Sequence, residues 1–221
     1  MKADITPLIF DGHNDVLLHL YNAGRLSASD SFINGRDGAI DLLKANIGGF
    51  GGGFFAVYVQ SPSNIDFKMQ EMVKPAYDLP LPDAIDWKDA LPAVMAIAAI
   101  LFDLENKGAL KVCRSVADIR GALAACQIAA IFHIEGAEAI DPDLNSLEVL
   151  YQAGLRSIGP VWSRPNIFGH GVPFRYPSGS DIGPGLTDHG KRLVKRCDEL
   201  GVMLDLSHLN AAGFWDVART S

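Results

Sequence analysis

Short apolar runs alternate along this chain with helix-like stretches, and three of the runs end in residues that bind metals. Leu8-Ile9-Phe10 leads into Asp11-Gly12-His13-Asn14-Asp15, the run from Ile128 to Ile134 leads into Glu135, and Val202 to Leu206 leads into Ser207-His208. Continuous apolar runs of this length read as strands buried on both faces, and such strands separated by helices make parallel βα units. The strands are expected at Leu8–Phe10, Phe54–Val59, Ile128–Ile134, Arg156–Val161 and Val202–Leu206. Helices are expected over about 16–23, 84–106, 115–125, 144–153 and 188–200, with a last one from Ala211. Ser115 and Thr187 are suitable N-caps, and Gly201 is a suitable stop.

Five βα units of a single domain, residues 1–221, account for this pattern. The expected class is α/β, a (β/α)8 TIM-like barrel with about five of its units present. In that architecture active sites form at the C-terminal ends of strands, which is where the ligand-type residues lie. An open doubly wound sheet is the alternative. Half the residues are apolar (48%), enough for one sizeable core. The formal net charge of −7 argues against nucleic acid or an anionic membrane surface as partner. The start of the chain has no apolar targeting region, and the apolar stretch from Ala90 to Phe102 is too short to span a bilayer. A cytoplasmic protein is expected. Cys113, Cys126 and Cys197 are odd in number and widely spaced, as reduced thiols are.

Side chains two apart on a strand share a face, so His13 and Asp15 can grip one ion together. An alternative is a strand-to-helix turn with an aspartate cap and a surface histidine. Glu135 ends an apolar strand, where a charge is costly unless paired or bound to metal; a salt bridge would serve as well as an ion. His133 shares its face and reads as a hydrogen-bonded interior histidine. His208 shares a face with Leu204 and Leu206, as a strand-end ligand would, while Asp205 points away and reads as structural. His19, His170 and His189 suit surface roles. The run Gly48-Gly49-Phe50-Gly51-Gly52-Gly53 precedes a strand and does not fit a phosphate loop. Lys191, Arg192, Lys195 and Arg196 repeat at helical spacing and read as a solvated face. Mixed imidazole and carboxylate donors suit zinc, and a pair of ions can polarise a carbonyl and hold a hydroxide between them.

The segments Asp11-Gly12-His13-Asn14-Asp15, the glycine run into Phe54–Val59, Ile134-Glu135-Gly136, and Gly185-Leu186-Thr187-Asp188 on to Asp205-Leu206-Ser207-His208 together resemble the renal (membrane) dipeptidase family, the zinc dipeptidases of peptidase family M19. The resemblance implies a (β/α)8 barrel of the metallo-dependent hydrolase type with two zinc ions at its mouth, acting on a small dipeptide. It implies that His13 and Asp15 bind one zinc, that Glu135 bridges as the catalytic carboxylate, and that His208 binds the second zinc. The bridging hydroxide would attack the peptide carbonyl. Two departures stand out. Trp162, in Val161-Trp162-Ser163-Arg164, takes the place of a substrate-contacting histidine; its indole can donate a hydrogen bond but carries no charge. Arg164 either supplies that charge to the substrate or is a surface or carboxylate-paired arginine. The family also continues for three more βα units, with a further zinc histidine and a proton-transfer aspartate. The chain is therefore expected to be a piece of a longer polypeptide or a truncated product. A protein of this length alone would need a partner to close the barrel, and a homodimer is open. Hydrolysis of another small amide, an N-acyl amino acid or a lactone is the alternative activity, and a catalytically silent metal-binding subunit the alternative class.

Overall fold

A computed structural model of the protein describes residues 7–61 and 70–221; the N-terminal segment read above for targeting lies almost wholly outside them. In chain order the elements are β1 (Ile9–Asn14), α1 (Val16–Gly24), α2 (Ser29–Asn34), α3 (Leu42–Ile47), β2 (Phe50–Tyr58), β3 (Tyr77–Leu79), α4 (Trp87–Asn106), β4 (Leu110–Val112), α5 (Val116–Ala124), β5 (Ile128–Glu135), α6 (Asn145–Ala153), β6 (Leu155–Gly159), β7 (Phe174–Tyr176), α7 (Asp188–Leu200), β8 (Met203–Leu204) and α8 (Ala211–Thr220). The chain forms two compact units. One holds the residues up to Val57 with Val94–His133 and Gly154–Arg156; the other holds Tyr58–Ala93, Ile134–Ala153 and Ser157–Ser221.

In the first unit β1, β2 and β5 are successive neighbours in one sheet, and β4 adds to β5. β1 runs parallel to β2, and β4 parallel to β5. The glycine run makes this spacing achievable. A Cβ on Gly52 would lie 2.3 Å from the Ala129 carbonyl oxygen, and one on Gly53 2.7 Å from that of Asp11. The run is thus strand rather than loop. Phe55, Ile97, Leu101 and Phe132 form the core here, each 0–1% exposed. Burying a side chain of this size contributes about 1.5–3 kcal/mol. Among the described residues β1 has β2 as its neighbour, its register shifts between Asp11 and Asn14, and Leu8, Ile9 and Phe10 are 55%, 56% and 43% exposed, where the sequence reads a strand buried on both faces.

In the second unit β6 pairs in parallel with β8. β6 stops at Gly159, because Pro160 has no N–H for the ladder. β8 has two residues where five were expected. The Asp205 N–H still reaches the Ile158 carbonyl at 2.9 Å, and then the chain turns. Val161, Leu186, Val194, Leu209 and Val217 form this unit's apolar cluster, with Leu204 and Leu206 packed on it. α7 follows its expected bounds: the Thr187 hydroxyl accepts from Gly190 N, and Gly201 closes the helix at φ +69°. β3 and β7 pair antiparallel, Tyr77 opposite Tyr176, in stretches where the sequence pattern gives no strand.

Candidate metal centre

His13 and Glu135 lie at the C-terminal ends of strands, Asp15 directly follows one, and His208 lies in a turn four residues past β8. In the first unit β1 carries His13, and Asp15 follows it directly. Asn14 between them is buried; its side-chain amide donates to the Asp11 carboxylate at 3.1 Å and to the Phe54 carbonyl at 3.2 Å. With Asn14 tied inward, strand alternation turns its two neighbours to the other side. His13 Nε2 and Asp15 Oδ1 stand 3.5 Å apart, both part-exposed. The hydrogen bond from His13 holds the Asp15 carboxyl below its usual range, against the opposing effect of burial. The Asp15 carbonyl also accepts from His19 N at 3.1 Å, so Asp15 starts α1 as well as pairing with His13. His133 is 1% exposed, with its ring edge-on to His13 at 5.8 Å and to Phe54 at 6.2 Å.

In the second unit Glu135 ends β5 and His208 Nε2 meets its Oε1 at 2.9 Å. His208 does not extend a strand, which corrects the face-sharing argument made from the sequence. It lies in a turn at φ +67°. Leu206 and Leu209 anchor that turn in the apolar cluster, Asp205 Oδ1 accepts from Ser207 N at 2.9 Å, and Val172 N donates to the His208 carbonyl at 2.8 Å. Ser163 Oγ lies 3.5 Å from Nδ1 on the other side of the ring. Trp162 stands 6.0 Å from the same imidazole, and its indole packs against Tyr58 at 5.2 Å and Phe174 at 5.5 Å.

Arg164 is fully buried, which removes the surface reading and makes it a carboxylate-paired arginine. Its Nε and Nη2 donate to Glu138 Oε1 at 3.1 and 3.0 Å, Nη2 also reaches the Val59 carbonyl at 2.9 Å, and Nη1 donates to Ser61. Burial pushes the Glu138 carboxyl up while Arg164 pulls it down. The Tyr58 hydroxyl is pushed up to about 12, chiefly by burial. Glu138, Tyr58, Ser61 and Phe174 were not singled out from the sequence. The one signal was a carboxylate at 138 flanked by Ala137, Ala139 and Ile140, where a lone charge is costly. His19 and His189 are exposed, and His170 Nδ1 is 3.5 Å from the Gly185 carbonyl. Cys113 and Cys197 are buried, Cys126 is exposed, and all three are free thiols.

The His13–Asp15 pair has the spacing of two ligands on one divalent ion, and His208 and Glu135 are in direct hydrogen-bond contact. Ligand atoms about 2.0–2.1 Å from a tetrahedral zinc stand about 3.3–3.4 Å from each other, close to the His13–Asp15 separation. His208 and Glu135 present the same combination of imidazole nitrogen and carboxylate oxygen.

Comparison with known proteins gives the family. The family model for membrane dipeptidase, peptidase family M19, matches residues 5–221. A metallo peptidase from Rhodobacter sphaeroides, solved with a phosphinate mimic of the dipeptide L-Ala-D-Ala, is 48% identical with a TM-score of 0.93, over 98% of this chain and 63% of that one. A second solved metallo peptidase of family M19, dipeptidase AC, is 47% identical with a TM-score of 0.87, over 98% of this chain and 61% of that one. An uncharacterised protein from the PQQ-III 3′ region of Acinetobacter calcoaceticus is 36% identical over 214 residues, 94% of this chain and 65% of its own length. The chain thus spans less than two thirds of the length of each of these relatives. Its α/β fold, with parallel strands and intervening helices, is that of the TIM-like M19 dipeptidases, of which it carries a part. On the match over residues 5–221 and these relatives, the chain belongs to the membrane dipeptidase family, peptidase family M19.

Proposed function

We propose that the full-length protein is a cytoplasmic zinc dipeptidase that cleaves the peptide bond of small dipeptides at a two-ion centre. The observation that carries this reading is the 2.9 Å contact of His208 Nε2 with Glu135 Oε1, two metal-type donors facing each other in a chain of the M19 family. On the family pattern His13 and Asp15 would hold one ion, His208 would hold the other, and Glu135 would be the ligand shared by both. When bound, such ions polarise the scissile carbonyl and activate water for attack. Ser163, beside Nδ1, fixes the His208 ring so that Nε2 faces Glu135, as outer partners of metal-binding histidines do. Trp162, with Tyr58 and Phe174, forms an aromatic wall next to His208, so the substrate meets a largely apolar, uncharged surface in which the indole N–H and the Tyr58 hydroxyl are the polar groups.

That wall favours one second reading, hydrolysis of another small amide such as an N-acyl amino acid, or of a lactone. Metal analysis of the purified full-length protein, combined with turnover of dipeptides, N-acyl amino acids and lactones, separates the two. The expected result is two zinc ions per chain and dipeptide hydrolysis that chelation abolishes and zinc restores. Preferential turnover of the N-acyl amino acids or lactones would support the second reading. Bound metal with no turnover on the whole panel would make the protein a silent subunit.

A further inference from the structure

The largest fully buried side chain of the second unit is a charge, Arg164, and its partner Glu138 is buried as completely. Removing two ions from water costs several kcal/mol each, and an apolar pair of similar volume often replaces such a bridge without loss of stability. Stability is therefore a weak reason for the pair, and its surroundings supply a better one. The guanidinium lies 5.9 Å from the Tyr58 ring centre and 5.7 Å from that of Trp162, while the two rings lie 5.2 Å from each other. Arginine stacks on aromatic faces and directs its donors in a rigid planar fork, so one side chain can fix two rings at once. Glu138 faces the other way as well. A Cβ on Gly136 would lie 2.4 Å from Glu138 Oε2, so this oxygen packs against the backbone of the residue after Glu135. Gly136 makes the turn at φ +86° that leads the chain out of β5. Oε2 is buried and has no hydrogen-bond partner among the described residues, so the carboxylate is held by Arg164 through Oε1 alone.

We propose that Glu138 and Arg164 are positioning residues: the pair fixes the Tyr58–Trp162 wall against the turn that presents Glu135, and Arg164 does not itself touch the substrate. This rests on the dipeptidase reading above. It assigns the recognition of one substrate side chain to an aromatic surface whose placement depends on a buried charge pair. The substrates that fit are dipeptides with an uncharged, apolar side chain on that side.

The test uses the full-length zinc-loaded enzyme with two substrate series, dipeptides with a free C-terminal carboxylate and the matching dipeptide amides. Arg164→Met leaves Glu138 without its counter-charge, so the double variant Glu138→Leu/Arg164→Met is measured beside it to remove both charges together. For the double variant KM should rise about 5- to 30-fold for apolar dipeptides, equally for acids and amides, with a much smaller change in kcat and unchanged zinc content. Its near-ultraviolet circular dichroism should lose the same band that Trp162→Phe loses, which reports the indole's placement independently of turnover. Arg164→Lys, which keeps the charge but not the planar fork, should share the KM defect. A loss confined to substrates with a free carboxylate would overturn the proposal and make Arg164 a direct substrate ligand. A double variant with wild-type KM and an unaltered indole band would overturn it too. Failure of the wild-type enzyme to cleave any dipeptide would refute the dipeptidase reading instead, and the indole band would still test the positioning role.

Discussion

His208 adopts φ +67°, in the left-handed region that residues with a β-carbon seldom occupy and that costs them about 1–2 kcal/mol. The cost is met locally: Val172 N–H binds its carbonyl, and Leu206 and Leu209 on either side are held by the apolar cluster. The strained turn brings Nε2 to Glu135, and an extended strand through residue 208 was not needed for that. Trp162 is the other residue to which the proposed function gives a part. Replacing Trp162 with histidine removes the ring contacts with Tyr58 and Phe174 and introduces a group able to carry positive charge. In the full-length enzyme Trp162→His should reorder kcat/KM among dipeptides while leaving zinc content unchanged. One well-placed donor to a developing oxyanion alters rate by about 10²–10³, and the gap left by the indole works against that gain. Steady-state kinetics on a dipeptide panel checks this; unchanged ranking and rates for every substrate would make Trp162 a packing residue only.

At the scale of elements, local chemistry and long-range pairing separate cleanly. Asp41 caps α3, accepting from Lys44 N at 2.8 Å, and its partners hold its carboxyl at about 2, below the ordinary 3.8. A depressed folded-state value gives stability that is present above pH 3.8 and is lost as pH falls through about 2. Asp41→Asn, which can still cap, should therefore lower Tm at neutral pH, and the difference should shrink as the pH drops from about 4 to about 2. Thermal melts across that range check it; a difference independent of pH would assign the effect to packing. Caps of this kind were legible in the sequence: Ser115, Thr187 and Gly201 mark α5 and α7 because each acts on atoms within about three residues. β4 was not legible, since a three-residue strand shows no period and exists through its pairing with Ile128–Ala130. The exposure of β1 was hidden for the same reason, because apolar residues do not say how many neighbours a strand has. The Arg164–Glu138 bridge joins residues 26 apart, and nothing local to either predicts the other.

At the scale of the molecule, the placement of His13, Asp15 and Glu135 at the ends of β1 and β5 was readable from sequence because in parallel βα folds the C-terminal strand ends are where sites form, whereas His208 sits in a turn beyond β8 that no strand pattern indicates. Membership of family M19 follows from the match over residues 5–221. No helix among the described residues is long and apolar enough to cross a membrane. The formal charge of −7 suits a small-molecule enzyme better than a nucleic-acid binder. The central proposal, drawn from the family the chain belongs to, is a two-ion centre for which Glu135 would be the shared ligand. It is tested most directly by zinc stoichiometry and dipeptide turnover of the full-length protein beside its Glu135→Gln variant. The amide is nearly the same size as the carboxylate but has no charge to share between two cations. The account predicts two zinc ions per chain in the wild type, fewer than two in Glu135→Gln, and loss of hydrolysis in the variant. Two tightly bound ions and full activity in Glu135→Gln would contradict it.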